Sequence, residues 1–300
     1  MNARTASAPR QAASPGAAAR DAGAADGRRE FAFTRDDFER IRKLIYDHAG
    51  IALAPVKFDM VYSRLARRLR ARGDRSFTEY IKRLEANDAE EWETFVNSLT
   101  TNLTSFFREA HHFDSFAKYI KSNGMQPVTV WCCASSTGEE PYSIAITACE
   151  TWGRLDPPVR ILASDLDTAV LAQAEQAVYG DERVERLSRE RLQRFFQKGT
   201  GAQAGRVRVR PELRRLIEFR RINLLDSNWN ITTPLDIIFC RNVMIYFDKP
   251  TQHKILTRFR PLLKRDGRLY AGHSESFAHA ADLFRPLGKT VYARTDASGE

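Results

Sequence analysis

An acid-rich turn between Trp131 and Tyr142 has the clearest chemical character in the sequence. It reads WCCASSTGEEPY, an apolar run that becomes a loop with one glycine, Gly138, and two consecutive acids, Glu139 and Glu140. A dinucleotide-binding turn needs G-x-G-x-x-G so that the backbone can approach a pyrophosphate. The missing glycines and the two acids disfavour a phosphate-bearing ligand. They favour a nucleoside with positive charge, such as S-adenosylmethionine, which carries a sulfonium and an ammonium group.

Asp165 is a second candidate for nucleoside binding. It follows an apolar run, Arg160–Ser164, about 27 residues after Gly138. A carboxylate at the end of the second strand can accept hydrogen bonds from both hydroxyl groups of a ribose. A helix cap for a segment that begins near Thr168, or a solvated turn acid, explains the residue equally well from the sequence.

Cysteine and histidine show no pattern of a redox or metal site. The four cysteines fall in apolar runs without C-x-x-C spacing, and the six histidines include no H-E-x-x-H pair. Small hydrophobic residues in a reducing compartment account for such cysteines. We therefore predict neither a disulfide nor a bound metal. The cysteines are Cys132, Cys133, Cys149 and Cys240.

The positive charge of the chain is concentrated in one segment. The formal net charge is +9 at pH 7, and residues 183–221 contain 13 Lys and Arg against 4 Asp and Glu, which gives 13 − 4 = +9 for that segment alone. A basic module of this kind indicates an acidic partner, either nucleic acid or an acidic peptide. No apolar run approaches the roughly 18 residues that a membrane-spanning helix needs.

The N-terminal third of the chain has helical periodicity. Residues 1–29 are rich in Ala, Gly, Ser, Pro and Arg and are predicted to be a disordered tail. Residues 30–110 are predicted to form a helical domain. Its first helix should begin at a capping box of Thr34 and Asp37 and end at Gly50. The other predicted helices are Lys57–Arg72, Phe77–Leu84 and Glu91–Leu99.

Residues 111–300 alternate between strand and helix patterns. Such alternation favours an α/β domain with a mainly parallel sheet that helices cover on both faces. Residues of about 180–215 interrupt it with a short helix, Arg189–Phe196, and a strand, Val207–Arg210, and are predicted to form a small inserted β-subdomain. The other predicted strands are Val128–Cys133, Arg160–Ser164, Leu216–Arg221, Leu235–Cys240, Leu269–His273 and Thr290–Arg294, and the helices are Pro141–Glu150, Thr168–Ala177, Thr251–Leu263 and Ser276–Leu283.

Six short motifs occur along the chain: TTNLTSFFRE, ASSTGEEPYS, ASDLD, NLL, FCRNVMIYF and AGHSE. In this order they resemble the chemotaxis receptor methyltransferases, the CheR family, over about Phe33–Arg294. The resemblance implies a Rossmann-like S-adenosylmethionine-dependent methyltransferase sheet preceded by a helical domain, with the methyl donor bound between the two. It also implies methylation of glutamate side chains on methyl-accepting chemotaxis receptors, giving glutamate methyl esters for sensory adaptation.

The resemblance assigns contacts with the methyl donor to matching positions. Arg108 would pair with the methionine carboxylate, because a guanidinium binds a carboxylate bidentately. Glu139 would face the ammonium group and Asp165 the ribose. By residue type alone, a surface role explains Arg108, and turn chemistry explains the asparagines. The residues implied to bind the donor are Asn102, Thr104, Arg108, Glu139, Asp165, Asn223, Leu224, Arg241 and Asn242.

Arg108 and Tyr246 are the residues implied to act in catalysis. By resemblance, Tyr246 lines the methyl-transfer channel and orients the acceptor glutamate, and a core aromatic beside Phe247 is the alternative. Because a glutamate is ionised near neutral pH, an in-line displacement needs no general base. Catalysis would then rest on alignment and partial desolvation. We expect a structural role for His273.

Two groups of residues are implied to bind the receptor. Arg64, Arg67 and Arg70 on the second helix would meet the glutamate-rich methylated helices, and a solvated helix face is the alternative. In some relatives the inserted subdomain captures an acidic pentapeptide at the receptor's C-terminus, and an edge strand here could pair with such a peptide. The matching residues are Gly199, Thr200, Gly201, Arg206 and Arg208.

Two other functions are compatible with the sequence. One is a methyltransferase of the same fold that acts on nucleic acid, and the other is a scaffold that senses S-adenosylmethionine. The basic segment favours the first, but no RNA-binding module or base-flipping motif is recognisable. The resemblance predicts instead a cytoplasmic monomer that binds no nucleic acid and reaches the membrane only through the receptor.

Overall fold

The computed structural model describes residues 29–86 and 89–296. The disordered tail predicted for residues 1–29 lies outside the described residues, except for Arg29. The guanidinium of Arg29 lies over the rings of Phe58 and Tyr62, 5.1 and 4.9 Å from their centroids. Residue 29 therefore belongs to the helical unit and not to a tail.

Four helices within the described residues form the N-terminal unit: α1 (Arg35–Ala49), α2 (Phe58–Arg72), α3 (Phe77–Glu85) and α4 (Ala89–Leu99). The predicted capping box is confirmed. The Thr34 hydroxyl accepts a hydrogen bond from the Asp37 amide at 3.0 Å, and the Thr34 amide donates to the Asp37 carboxylate at 3.0 Å. Gly50 ends α1 with a φ of 67°, a conformation that glycine adopts without strain. A 3-10 turn, Pro55–Lys57, leads into α2.

A buried carboxylate connects three of these helices. Glu91 on α4 accepts hydrogen bonds from Arg68 and Arg72 on α2 at 2.6 to 2.8 Å, and from the Tyr80 hydroxyl on α3 at 2.7 Å. Burial alone would raise the pKa of Glu91, but hydrogen bonds from Arg68 and Tyr80 outweigh it and hold the pKa below its usual value. Arg68 and Arg72 on α2 therefore stabilise the packing of the helical unit.

The rest of the chain forms two sheets. The strands are β1 (Val128–Cys132), β2 (Val159–Asp165), β3 (Val178–Gly180), β4 (Phe196–Lys198), β5 (Arg206–Val209), β6 (Ile217–Arg221), β7 (Leu235–Phe239), β8 (Leu263–Tyr270), β9 (Phe284–Gly288) and β10 (Val291–Arg294). The helices are α5 (His111–Ser122), α6 (Glu139–Trp152), α7 (Thr168–Gln176), α8 (Asp181–Val184), α9 (Arg189–Phe195), α10 (Pro211–Arg214) and α11 (Lys249–Leu262).

The main sheet has the order β6-β2-β1-β7-β8-β10-β9. Its first five strands are parallel, and β10 pairs antiparallel with both β8 and β9. From β1 the chain continues outwards through β2 and β6, and it returns to the other side of β1 with β7 and β8. The strand order therefore reverses between β1 and β7, and in open α/β sheets a ligand binds at the carboxyl ends of the strands at such a point.

Alternate residues of β1 face opposite layers of helices. Val130 belongs to the core that contains Phe113 of α5 and Ile144 of α6. Trp131 belongs to the core that contains Phe259 of α11, and the two rings lie 5.3 Å apart between centroids. The prediction of an α/β sheet covered on both faces is confirmed.

The inserted segment forms a separate antiparallel sheet in the order β3-β5-β4. It begins at Val178, slightly before the predicted limit of 180. The predicted strand Val207–Arg210 corresponds to β5, which is hydrogen-bonded to a strand on each side. Arg206 and Arg208 therefore lie on the central strand, and the expectation of an edge strand at these residues was wrong.

Three further elements differ from the prediction. Helix α5 was not predicted, although it packs against α6. Of the strand expected at Leu269–His273, only Leu269 and Tyr270 belong to a strand, because they form the end of the longer β8. The helix expected at Ser276–Leu283 is only a 3-10 turn, Ala278–Ala280, followed by β9. The buried residues Phe277, Ala280 and Leu283 are spaced by three, which matches the three residues per turn of a 3-10 helix.

Candidate active site

A cavity lies where the helical unit meets the carboxyl ends of β1, β2 and β7. The loop between α4 and α5 forms one wall, and the turns that follow the strands form the other. Of the residues predicted to bind the donor or to act in catalysis, all but Glu139 line this cavity. They are Asn102, Thr104, Arg108, Asp165, Asn223, Leu224, Arg241, Asn242 and Tyr246.

Asp165 is the last residue of β2 and lies in the cavity wall. Its carboxylate accepts hydrogen bonds from the amides of Ser136 at 2.8 Å and Asp167 at 3.1 Å. Burial raises the pKa of Asp165, and these two amide hydrogen bonds counteract the rise. The cap of α7 is Asp167, which accepts from the Ala169 amide at 2.9 Å. Asp165 is therefore not a helix cap, which excludes one of the two alternatives to nucleoside binding.

Glu139, which the resemblance implies to face the ammonium group of the donor, is not among the residues that line the cavity. Its side chain is fully buried and pairs with Arg183 of α8, and its carboxylate also accepts from the Thr137 hydroxyl at 2.6 Å. Glu140 lies in the cavity wall instead. Consecutive helical residues point about 100° apart, so only one of two adjacent acids in the first turn of α6 can face the cavity.

Glu140 is paired with Arg241, a buried guanidinium at the end of β7. Arg241 also donates to the Arg108 carbonyl at 2.5 Å and lies 3.3 Å from the Glu109 carboxylate. Two carboxylates thus neutralise Arg241. Arg108 is partly exposed in the cavity wall, where it donates to the Leu103 carbonyl at 2.7 Å, and it pairs with no carboxylate among the described residues. The cavity therefore offers one cation, Arg108, that is available to a ligand carboxylate.

Glu109 connects several of these groups and was not predicted. Its carboxylate accepts from the amide and ring nitrogen of His273, at 3.1 and 2.9 Å, and from Asn242 at 3.4 Å. Burial alone would raise its pKa, but the hydrogen bonds from His273 and the charge of Arg241 lower it to about 2. Glu109 and Asn242 both have positive φ, 57° and 60°, and such backbone strain concentrates at functional sites. The only sequence signal was its position beside Arg108.

Glu109 also belongs to a group of possible metal ligands with His111 and His112, whose ligand atoms lie within 4.8 Å of one another. The four donors described above already occupy the Glu109 oxygens, and one of them is the cation Arg241. Nδ1 of His112 lies 3.5 Å from the Glu109 carboxylate. Burial, followed by the charge of Arg241, lowers the pKa of His112 to about 4. These contacts oppose cation binding at this group.

Tyr246 ends a 3-10 turn after β7 and is partly exposed in the cavity wall. Its hydroxyl donates to the Thr101 carbonyl at 3.3 Å, and its carbonyl accepts from the Ala52 amide at 2.8 Å. Its ring also packs against the edge of the helical core. The next residue, Phe247, is buried. Phe247 is therefore the core aromatic at this point, and Tyr246 is the more exposed of the two.

Two other cavity residues have turn or bridging contacts. Asn223 Oδ1 accepts from the Leu225 amide at 3.0 Å, which confirms the expected turn chemistry but leaves its Nδ2 group available. Asn102 Nδ2 donates to Asp167 at 3.1 Å and so connects the α4–α5 loop to the cap of α7. The cavity wall is thus a set of loops that hold one another in position.

The inserted sheet is attached to the acid-rich turn of this cavity. The Tyr179 hydroxyl of β3 donates to the Thr137 carbonyl at 2.8 Å, and Arg183 donates to the Thr137 hydroxyl at 3.0 Å. A Cβ at Gly138 would lie 2.8 Å from the Tyr179 hydroxyl, and Gly138 has a φ of 98°. This glycine is therefore required by the close approach of the insert and by its own backbone conformation. The Phe106 ring packs edge-on against Tyr179 at 5.0 Å.

The three arginines predicted to bind a receptor have different surroundings. Arg64 donates to the Thr100 carbonyl at 2.6 Å and to the Thr101 hydroxyl at 2.8 Å, so it fixes the loop that forms the cavity wall. Arg70 is exposed and donates to Glu30 at 2.9 Å. Arg67 is exposed, and its guanidinium pairs with no carboxylate in the part of the chain that the structure describes.

The residues predicted to bind a peptide lie in the hairpin between β4 and β5. The Gly199 amide donates to the Arg206 carbonyl at 2.8 Å, and Gly199, Thr200 and Gly201 follow β4 directly. Arg206 and Arg208 are exposed on one face of β5. A peptide that adds a strand to this sheet can pair with β3 or β4, because β5 has no free edge.

Comparison with protein families decides the classification. The all-alpha domain of the CheR methyltransferases matches residues 36–100, and their S-adenosylmethionine-binding domain matches residues 102–293. The chain belongs to the CheR methyltransferase family. It is accordingly a methyltransferase whose methyl donor is S-adenosylmethionine, and the cavity suits that donor: it offers an acid pair for hydroxyl and ammonium groups and one free arginine for a carboxylate.

Two CheR relatives align with most of the chain. Chemotaxis protein methyltransferase 2 of Pseudomonas aeruginosa is 52% identical over 269 residues, which cover 89% of this chain and 96% of that protein. The chemotaxis protein methyltransferase of Salmonella typhimurium is 52% identical over 257 residues, which cover 85% of this chain and 89% of that protein. Among the described residues, no helix has the length and apolar character needed to cross a membrane.

Proposed function

We propose that this enzyme methylates glutamate side chains of methyl-accepting chemotaxis receptors and produces glutamate methyl esters. The two relatives described above are chemotaxis protein methyltransferases by name, at 52% identity over most of the chain. The observation that carries the proposal is this similarity, and the described lining of the cavity, which contains no histidine and no lysine, is compatible with it. An acceptor that is already ionised at neutral pH needs no base there, and a glutamate carboxylate is such an acceptor.

The proposed donor contacts follow the charges of the cavity. Asp165 accepts from the ribose hydroxyls, and Glu140 replaces Glu139 as the acid that faces the ammonium group. Arg108 pairs with the methionine carboxylate, for which it is the available cation. Asn223 and Leu224 contact the adenine. The remaining members of the proposed donor site are Asn102, Thr104, Arg241 and Asn242, and Arg241 acts by orienting Glu140.

The proposed reaction needs alignment and no proton transfer. Bound S-adenosylmethionine supplies an electrophilic methyl group: the glutamate oxygen forms a bond to the methyl carbon while the carbon–sulfur bond breaks, and the electron pair stays on the sulfur of S-adenosylhomocysteine. Tyr246 orients the acceptor carboxylate at the cavity wall. Fixing both reactants in line lowers the barrier because the entropy of alignment is lost on binding.

The proposed receptor contacts use the exposed cations of α2 and the insert. Arg67 and Arg70 meet acidic residues of the methylated helices, and Arg64 contributes mainly by holding the loop at Thr100 and Thr101. An acidic pentapeptide at the receptor's C-terminus adds to the edge of β4, where Arg206 and Arg208 on the neighbouring strand attract its acids. The enzyme would work in the cytoplasm as a monomer, without nucleic acid, and would reach the membrane through the receptor.

The test is methyl transfer from tritiated S-adenosylmethionine to membranes that contain a chemotaxis receptor. We expect label on the receptor that alkali releases as methanol, since an ester hydrolyses where a methylated amine does not. Membranes with a receptor that lacks its last five residues test the peptide contact, and we expect slower transfer to them. Label that withstands alkali, or transfer to RNA but not to receptor, would show that the acceptor is not glutamate.

A further inference from the structure

Four of the six exposed large hydrophobic side chains in the described chain belong to segments that adjoin the cavity. Six such residues are exposed: Tyr46, Val56, Leu103, Met125, Ile245 and Leu287. Val56, Leu103 and Ile245 expose 83%, 72% and 51% of their surface. Leu103 lies in the cavity wall, Ile245 precedes Tyr246, and Val56 lies in the turn before α2. Scattered exposed hydrophobic residues are ordinary, but a group around one opening indicates an interaction site.

Hydrogen bonds through the turn at Tyr246 join the segments that carry these side chains. The Ala52 amide, four residues before Val56, donates to the Tyr246 carbonyl at 2.8 Å. The Tyr246 hydroxyl donates to the Thr101 carbonyl at 3.3 Å, two residues before Leu103. The Tyr46 hydroxyl donates to the Asp248 carboxylate at 2.9 Å. The four exposed side chains, Tyr46, Val56, Leu103 and Ile245, therefore belong to three segments that hydrogen bonds join at the turn of Tyr246, and we name them the apolar collar.

The basic face of α2 continues from the apolar collar. Arg64 contacts Thr100 and Thr101, three and two residues before Leu103, and Arg67 is exposed about one turn farther along the helix. A partner that covers this surface must therefore present apolar side chains next to the cavity and acidic side chains beside α2. An amphipathic helix can do so, since residues three or four apart lie on the same face.

We propose that the apolar collar docks the acceptor helix by packing against apolar side chains three or four residues from the acceptor glutamate. This inference rests on the proposed function and specifies how its acceptor is recognised. The collar selects glutamates with apolar neighbours on the same helical face, while Arg67 and Arg70 attract the acidic surroundings. Packing also removes water from the mouth of the cavity, which leaves the attacking carboxylate less hydrated.

The test uses Val56→Ser and Ile245→Ser, singly and together, because neither side chain lines the cavity. Met125→Ser and Leu287→Ser are matched controls, with exposures of 55% and 40% at sites away from the Tyr246 turn. We expect the double variant to bind S-adenosylhomocysteine within twofold of the parent. Its kcat/KM for a purified receptor should fall about tenfold, mostly through KM, and the controls should match the parent.

The dependence of kcat/KM on ionic strength distinguishes the contribution of the apolar collar from that of the arginines. The defect of the collar double variant should persist at high salt, because apolar contacts are not screened. The defect of Arg67→Ala should shrink there. Parent-like kcat/KM in the double variant, or a parallel loss of S-adenosylhomocysteine affinity, would overturn the collar while the parent still methylates the receptor. A parent enzyme that transfers no methyl group to any receptor would overturn the proposed function itself.

Discussion

At the scale of single residues, neighbouring acids in this site have separate tasks. Asp167 caps α7. Asp165 instead lines the cavity, and its carboxylate accepts hydrogen bonds from backbone amides. Glu139 is buried and pairs with Arg183, whereas Glu140 lies in the cavity wall and pairs with Arg241. In both pairs one acid maintains the local fold, so that the other is held in position for a ligand.

Asp165→Ala should weaken binding of S-adenosylhomocysteine by roughly 1–3 kcal/mol, the cost of leaving buried hydrogen-bonding groups without partners. Calorimetric titration measures this change. Asp156→Ala is the control, because Asp156 is exposed and pairs with the nearby Arg154. An unchanged affinity in Asp165→Ala would contradict the assignment to the ribose.

Glu140→Gln and Glu139→Gln should have different effects. Glu140→Gln should weaken S-adenosylhomocysteine binding about tenfold or more, because the ammonium group loses its anionic partner. Glu139→Gln should leave affinity nearly unchanged but reduce the free energy of unfolding by roughly 1–3 kcal/mol, because Arg183 loses its buried partner. Calorimetric titration with S-adenosylhomocysteine and urea unfolding of both variants test this assignment. A loss of affinity in Glu139→Gln but not in Glu140→Gln would indicate that Glu139 contacts the donor.

At the scale of elements, helix α2 combines structural and exposed arginines. Arg67→Glu should keep S-adenosylhomocysteine affinity within twofold and reduce receptor methylation about tenfold or more, because charge reversal repels an acidic helix. Arg64→Glu should reduce both, since Arg64 holds the loop at Thr100 and Thr101. The comparison needs both variants in the same binding and methylation assays. Normal methylation by Arg67→Glu would exclude this face of α2 as a docking surface.

Helix α5 is fastened to the β9–β10 hairpin by His112. Its Nε2 lies 3.0 Å from the Lys289 carbonyl, which can only accept, so this nitrogen carries the proton of the neutral ring. Burial lowers the pKa of His112 to about 4 in the folded chain, against 6.5 for an ordinary histidine in the unfolded chain. Between these values the unfolded chain binds more protons than the folded chain. The contribution of His112 to the free energy of unfolding is therefore fully present above about pH 6.5, and it is lost as the pH decreases towards 4.

His112→Asn should remove this part of the pH dependence. The linkage corresponds to about 2 kcal/mol of stability lost between pH 8 and pH 5. Urea unfolding at the two pH values should show a smaller difference for His112→Asn than for the parent. His253→Asn, at a partly exposed position away from α5, should keep the difference of the parent. Equal differences in all three proteins would mean that His112 does not titrate in this range.

The sequence predicts local features of this protein better than relations between distant segments. The capping box at Thr34 and the strand ending at Asp165 follow from nearby residues, and both are confirmed. Which of Glu139 and Glu140 faces the cavity depends on the phase of α6 relative to the sheet. The central place of β5 depends on its pairing with β3 and β4, and these short strands have little pattern of their own. Short sequence motifs do not determine such contacts between distant segments.

At the scale of the whole molecule, the charge distribution should control how fast the enzyme finds its receptor. The segment 183–221 carries a net +9, and Arg67 and Arg70 add exposed positive charge on α2. Long-range attraction between such surfaces and an acidic helical partner is screened within about 8–10 Å at physiological salt. The kcat/KM for receptor methylation should therefore fall several-fold from about 0.05 to 0.3 M salt, while S-adenosylhomocysteine affinity changes little. A salt-independent kcat/KM would rule out this steering.

The attachment of the inserted sheet to the acid-rich turn has a consequence for protein engineering. The inserted sheet is connected to the turn at Thr137, Gly138 and Glu139 through Tyr179, Arg183 and Phe106. A chimaera that receives the insert of another family member is therefore expected to need the recipient's Phe106, Thr137 and Glu139 positions matched to the graft. Transplanting the insert alone would leave Glu139 buried without a positively charged partner. It would also destabilise the turn that positions Glu140.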